Sequence, residues 1–113
     1  MSTIYHNPRC SKSREALQRL QDTGEEPEVI RYLDTPPSTS ELARLIAAAG
    51  LIVHDAIRTR EAEYKELGLS PEMSDEELLQ AMVAHPRLIE RPIVVTDKGV
   101  RIPRPMELLD EIL

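Results

Sequence analysis

Cys10 is the single cysteine of this 113-residue chain and lies in the stretch HNPRCSKSR (residues 6–14), where an apolar run gives way to a helical pattern. A cysteine at a helix N-terminus faces unpaired backbone N–H groups and the positive end of the helix dipole, and both favour the thiolate. Free cysteine is most often a small buried hydrophobe. Here the flanking His6, Asn7, Arg9, Ser11, Ser13 and Arg14 make poor core neighbours, so a nucleophile is the better reading. The N–H groups that favour a thiolate also cradle an anion, so nucleophile and oxyanion site would coincide.

Spacing excludes several chemistries. A dithiol exchanger needs C-x-x-C, and position 13 is Ser13. A phosphatase-type loop needs an arginine six residues after the cysteine, where Ala16 stands. One cysteine and three scattered histidines, His6, His54 and His85, have no metal-ligand spacing, so no metal is expected. A lone redox thiolate must pass its adduct to an external thiol, and glutathione is the abundant one in a cytoplasm. Guanidinium groups bind tetrahedral oxyanions through paired hydrogen bonds. Arg14 one turn into the first helix, Arg91 before Pro92, Arg104 between two prolines, and Arg58 or Arg60 could together serve such a substrate, although any one alone reads as a solvated charge. His6 reads equally as a tuner of the thiolate and as an acceptor of a backbone hydrogen bond.

These residues need elements to position them. STIYH (2–6) reads as a buried strand ended by Asn7-Pro8. Ala16, Leu17 and Leu20 give a helix from Ser11 to about Thr23, stopped by Gly24, and EVIRYL (28–33) is a second strand. Strand, helix, strand with short links implies a right-handed parallel crossover. Ser38 with Glu41, and Ser74 with Glu77, are spaced as capping boxes, and residues 53–85 read as helical pieces. PIVVT (92–96), a DKG turn and VRI (100–102) make an antiparallel hairpin, and RPMELLDEIL ends the chain as a helix. A βαβ unit followed by ββα is the thioredoxin-like layout: an α/β fold with a mixed four-stranded sheet, here carrying a helical insert at about 40–86 within one domain spanning 1–113. In that layout the working cysteine lies between the first strand and first helix, and Pro92, just before the third strand, is the candidate cis-proline facing it.

Composition narrows the partners. Fourteen basic and 20 acidic residues leave a net charge of −6, which speaks against a nucleic-acid backbone as ligand. The most apolar run, LARLIAAAGLIV (42–53), is too short to span a bilayer, so no membrane is expected. No charged-then-apolar leader opens the sequence and no cysteine pair is present, which makes a reducing cytoplasm the expected location. Only three aromatic residues occur, Tyr5, Tyr32 and Tyr64, so the core must be aliphatic.

YHNPRCSKSR, YLDTPPS, AIRTREAEYKELGL, HPRLIERPIVVT and RIPRP together resemble the glutathione- and glutaredoxin-coupled arsenate reductases of the ArsC family, over nearly the whole chain. Ser11 and Lys12 replace a Gly-Thr pair found in some members. The resemblance implies that Cys10 attacks arsenate, that glutathione as co-substrate reduces the adduct, and that glutaredoxin clears the Cys10–glutathione disulfide, with no bound cofactor. It assigns the arginine triad to Arg58, Arg91 and Arg104, gives His6 a role in holding the thiolate, and sets Ser13 and Arg14 beside the anion. Other readings share the frame: a glutathione-dependent thiol oxidoreductase of different substrate, an Spx-like RNA polymerase-binding regulator, and an iron–sulfur carrier suggested by C-x-x-S. Many Spx-type proteins carry the C-x-x-C that Ser13 denies here.

Overall fold

A computed structural model describes residues 2–113 and divides the chain into two compact units, 1–35 with 91–113, and 36–90. The first holds a four-stranded sheet of β1 (Thr3–Tyr5), β2 (Glu28–Ile30), β3 (Ile93–Thr96) and β4 (Gly99–Arg101), in the order β2-β1-β3-β4. β1 pairs parallel with β2, placing Tyr5 opposite Ile30, and antiparallel with β3, placing Tyr5 opposite Ile93. β3 and β4 form the expected hairpin, with Thr96 opposite Gly99. The parallel pair requires a crossover, supplied by α1 (Ser11–Asp22), and Gly24 takes a positive φ of 87° just beyond its end. Because strand side chains alternate, Ile4 and Val94 face the same side as Ala16 and Leu20 of α1.

The chain ends in the expected helix, which is of the 3-10 type over Met106–Glu111. Met106, Leu109 and Ile112 recur every third residue, which aligns them on one face at three residues per turn, and all three are buried in the core with Ile4, Ala16, Leu20 and Val94. β2 also stops at Ile30, short of the expected Leu33, because the N–H groups of Asp34 and Thr35 both donate to the Arg31 carbonyl and turn the chain. Tyr5 and Tyr32 are buried beside the aliphatic residues.

The second unit, Pro36–Glu90, extends beyond the insert expected at about 40–86. Its α2 (Thr39–Ala48) begins where the Ser38 hydroxyl accepts the Glu41 N–H, and α4 (Asp75–Ala84) begins at a reciprocal Ser74–Glu77 capping box. Between them lie a 3-10 turn, Val53–Ala56, and the short α3 (Ala62–Glu66). A further 3-10 turn, Pro86–Leu88, follows α4; Pro86 at its start prevents the preceding helix from continuing. Leu42, Leu45 and Ile46 of α2 and Leu78, Leu79 and Met82 of α4 are buried. No helix among the described residues is long and apolar enough to cross a membrane.

Candidate active site

The site grows from the carboxyl end of β1. The His6 N–H donates to the Ile30 carbonyl at 2.7 Å, prolonging the parallel ladder by one residue. The chain then turns: Asn7 Oδ1 accepts the Arg9 N–H at 3.0 Å and the Asn7 carbonyl accepts the Cys10 N–H at 3.0 Å. Cys10 is the N-cap of α1, with extended φ and ψ of −95° and 122°, and its carbonyl accepts the Arg14 N–H to open the helix.

At an N-cap the side chain meets the orphan N–H groups of the next residues. Burial pushes the Cys10 thiol up, but the Ser13 N–H, the Arg91 charge, the Lys12 N–H and a hydrogen bond from the Arg91 side chain outweigh it, so the thiol lies below its ordinary value. Arg91 comes within reach because β3 runs antiparallel to β1, which returns the residue before β3 to the end of the sheet where β1 stops. The Arg91–Pro92 bond is cis, and Arg104–Pro105 is a second cis bond, one that sequence patterning had not singled out.

The remaining residues hold this arrangement together. Ser13 is fully buried; its Oγ accepts the Asn7 N–H at 3.0 Å and lies 2.6 Å from His6 Nδ1. Burial, followed by the charges of Arg31 and Arg14, holds His6 below the usual histidine value, so the ring is neutral near pH 7. Arg14 Nη1 donates to the Pro8 carbonyl at 2.9 Å, and Arg104 donates through Nη2 and Nε to the Arg91 carbonyl at 2.6 and 3.2 Å. Arg14 and Arg104 therefore fix the backbones of the two loops that carry Cys10 and Arg91.

The first unit thus gathers Cys10, His6, Ser13, Arg14, Arg91, Pro92 and Arg104. Arg58 belongs to the second unit, where its N–H donates to the Leu88 carbonyl and its guanidinium pairs with Glu61, which Arg87 also approaches at 3.6 Å. Arg60 is exposed. Sequence patterning missed Arg31 as a neighbour of His6. The sequence carries no signal for it: the pair follows from the observed register, in which Tyr5 lies opposite Ile30 so that His6 and Arg31 come next on the two parallel strands. No group of three or more His, Cys, Asp or Glu residues able to hold a metal ion occurs among the described residues. The arrangement is chemically a thiol shifted towards its thiolate beside the Arg91 guanidinium, suited to attack on an electrophile that carries negative charge.

Known proteins share both the chain and the frame. The arsenate reductase of Rhizobium meliloti (strain 1021) is 53% identical over 112 residues, covering 98% of this chain and 80% of its own, and that of Escherichia coli (strain K12) is 47% identical over 112 residues, covering 98% and 79%. The solved arsenate reductase structure from Vibrio cholerae superposes with a TM-score of 0.93 at 51% identity, over 99% of this chain and 97% of its own. The mixed-sheet, thioredoxin-like frame is therefore shared with that structure. Since the ArsC family model matches residues 5–112, nearly the full length, the chain belongs to the ArsC family.

Proposed function

We propose that this protein reduces arsenate to arsenite, with Cys10 as nucleophile and glutathione and glutaredoxin as the sources of reducing thiol. The carrying observation is the Cys10 thiol, held below its ordinary value at the N-cap of α1 with Arg91 beside it, in a chain whose curated relatives are named arsenate reductases.

The Cys10 thiolate attacks arsenic(V) and displaces one oxygen as water, forming a sulfur–arsenic bond. Glutathione supplies the second thiol and its electrons. In sum, arsenate, Cys10 thiol and glutathione give arsenite, a Cys10–glutathione disulfide and one water: arsenic gains two electrons as the two sulfurs become a disulfide. Glutaredoxin then removes the glutathione and restores the thiol. A thiolate approaching an anion needs cations to offset repulsion, and preorganised donors stabilise the developing charge. Arg91 meets that need directly, Arg104 and Arg14 hold the loops from which the donors project, and Arg58 is assigned to the substrate on family resemblance. His6 and Ser13 brace the Asn7–Cys10 turn. The chain works as one domain, 1–113, and needs no bound cofactor; its dependence on reduced glutathione assigns it to the cytoplasm.

The test is arsenate-dependent NADPH oxidation by the pure protein with glutathione, glutaredoxin and glutathione reductase. Turnover should saturate with arsenate and vanish in Cys10→Ser. Turnover retained in that variant would refute the nucleophile, and a flat trace from folded protein with a titratable thiol would refute arsenate as substrate.

A further inference from the structure

A cleft of about 350 Å³ opens in the first unit between the two loops that leave the carboxyl ends of the parallel strands β1 and β2. Its volume falls within the range of roughly 300–1,000 Å³ common to small-molecule sites, and crevices at such strand ends are a recurrent binding location in α/β sheets. His6 and Arg9 line it from the β1 side, and Arg31, Leu33 and Asp34 from the β2 side. Arg9 directly precedes Cys10, so the cleft borders the loop that delivers the thiol.

The charges around it form a pattern. Arg9, Arg31 and Asp34 are exposed, and their side chains make no ion pair or hydrogen bond among the described residues. Two guanidinium groups and one carboxylate therefore face one cleft with their charge uncompensated by the protein. Leu33, 38% exposed, adds an apolar wall, and the neutral His6 ring adds no charge. Of the other exposed arginines, Arg14, Arg87 and Arg104 each meet a carbonyl or carboxylate, while Arg44 and Arg60, like Arg9 and Arg31, have no such side-chain partner among the described residues.

We infer that this cleft binds glutathione, with Arg9 and Arg31 taking its two carboxylates and Asp34 its ammonium group. The match is one of charge count and sign: the tripeptide has two carboxylates and one ammonium, and the cleft presents two cations and one anion. A simple oxyanion would have no use for Asp34, and a cationic ligand none for the arginines. The inference rests on the proposed reaction for its choice of thiol, and it adds where the second thiol docks: on the β2 side of the loop that leads into Cys10.

S-methylglutathione, which cannot form a disulfide, provides a test independent of turnover. Titrated into the full chain and followed by amide chemical shifts, it should move the residue 7–9 and 31–34 signals saturably, and Arg31→Glu should weaken the dissociation constant about fivefold, the upper end of what an exposed ion pair supplies. In parallel, the ratio of glutathione-supported to 2-mercaptoethanol-supported arsenate reduction should fall by a similar factor, because the uncharged thiol has nothing for Arg31 to hold. Absence of saturable shifts, equal shifts from inorganic phosphate alone, or an Arg31→Glu variant that binds as tightly as the parent would each overturn the assignment. Binding at the cleft by a protein that fails to reduce arsenate would leave this site standing and the proposed reaction refuted; reduction without cleft binding would do the reverse.

Discussion

Ser13→Ala isolates the brace beneath the thiol. The hydroxyl is fully buried and serves two partners, the Asn7 N–H at 3.0 Å and His6 Nδ1 at 2.6 Å. Alanine nearly preserves the volume, so the loss is one of hydrogen bonding. A buried polar group left unsatisfied costs about 1–3 kcal/mol. His6 is buried and bears that cost in full, whereas Asn7 is half-buried and can find water, so the expected total is about 2 kcal/mol. For a chain of this length that lowers Tm by roughly 6–12 °C. The assay is urea and thermal unfolding of the parent, Ser13→Ala, His6→Ala and the double variant. Because removing both partners leaves fewer orphans than removing one, the double variant should be more stable than additivity predicts, by about 0.5–3 kcal/mol. The thiol should be spared, since its donor at position 13 is the backbone N–H, which alanine retains. A loss below about 0.5 kcal/mol, or strict additivity in the cycle, would show that the hydroxyl braces nothing. An upward move of the Cys10 titration would show that the side chain, and not the N–H, is what reaches the sulfur.

Two further expectations concern charge. Arg91→Met removes both a charge and a hydrogen bond from the thiolate, so Cys10 should titrate higher and be alkylated by iodoacetamide more slowly at neutral pH; an unchanged pH profile would exclude Arg91 from the thiol's surroundings. His6 is depressed in the folded protein, so its contribution to stability is fully present above the unfolded imidazole value of about 6.5 and is lost as pH falls through the lower folded value. The urea midpoint should therefore fall on acidification below pH 6.5 less steeply in His6→Ala than in the parent, and parallel curves would refute it.

Much of the frame was legible along the chain because the responsible interactions are local. The Ser74–Glu77 box, Gly24 beyond α1 and the turn between β3 and β4 each depend on residues within a few positions, and each occurs where its spacing predicts. The C-terminal helix was legible but its type was not: apolar residues at 106, 109 and 112 suit either helix type, and packing against Ile4, Leu20 and Val94 accompanies the tighter one. Arg104 and Arg14 each read as a solvated charge from type alone, and the main-chain carbonyls of Arg91 and Pro8 that they meet are partners no spacing rule names.

The sequence by itself determined that a lone thiol with no partner cysteine would lie at a strand-to-helix junction, because residue type and helix-terminal position suffice for that. Only the tertiary structure decided which charges the thiol meets. Arg91 reaches Cys10 through the antiparallel register of β1 with β3, and Arg31 reaches His6 through the parallel register of β1 with β2. Strand register is set by the joint burial of side chains far apart in the chain, and that is a property of the packed sheet that no single segment contains.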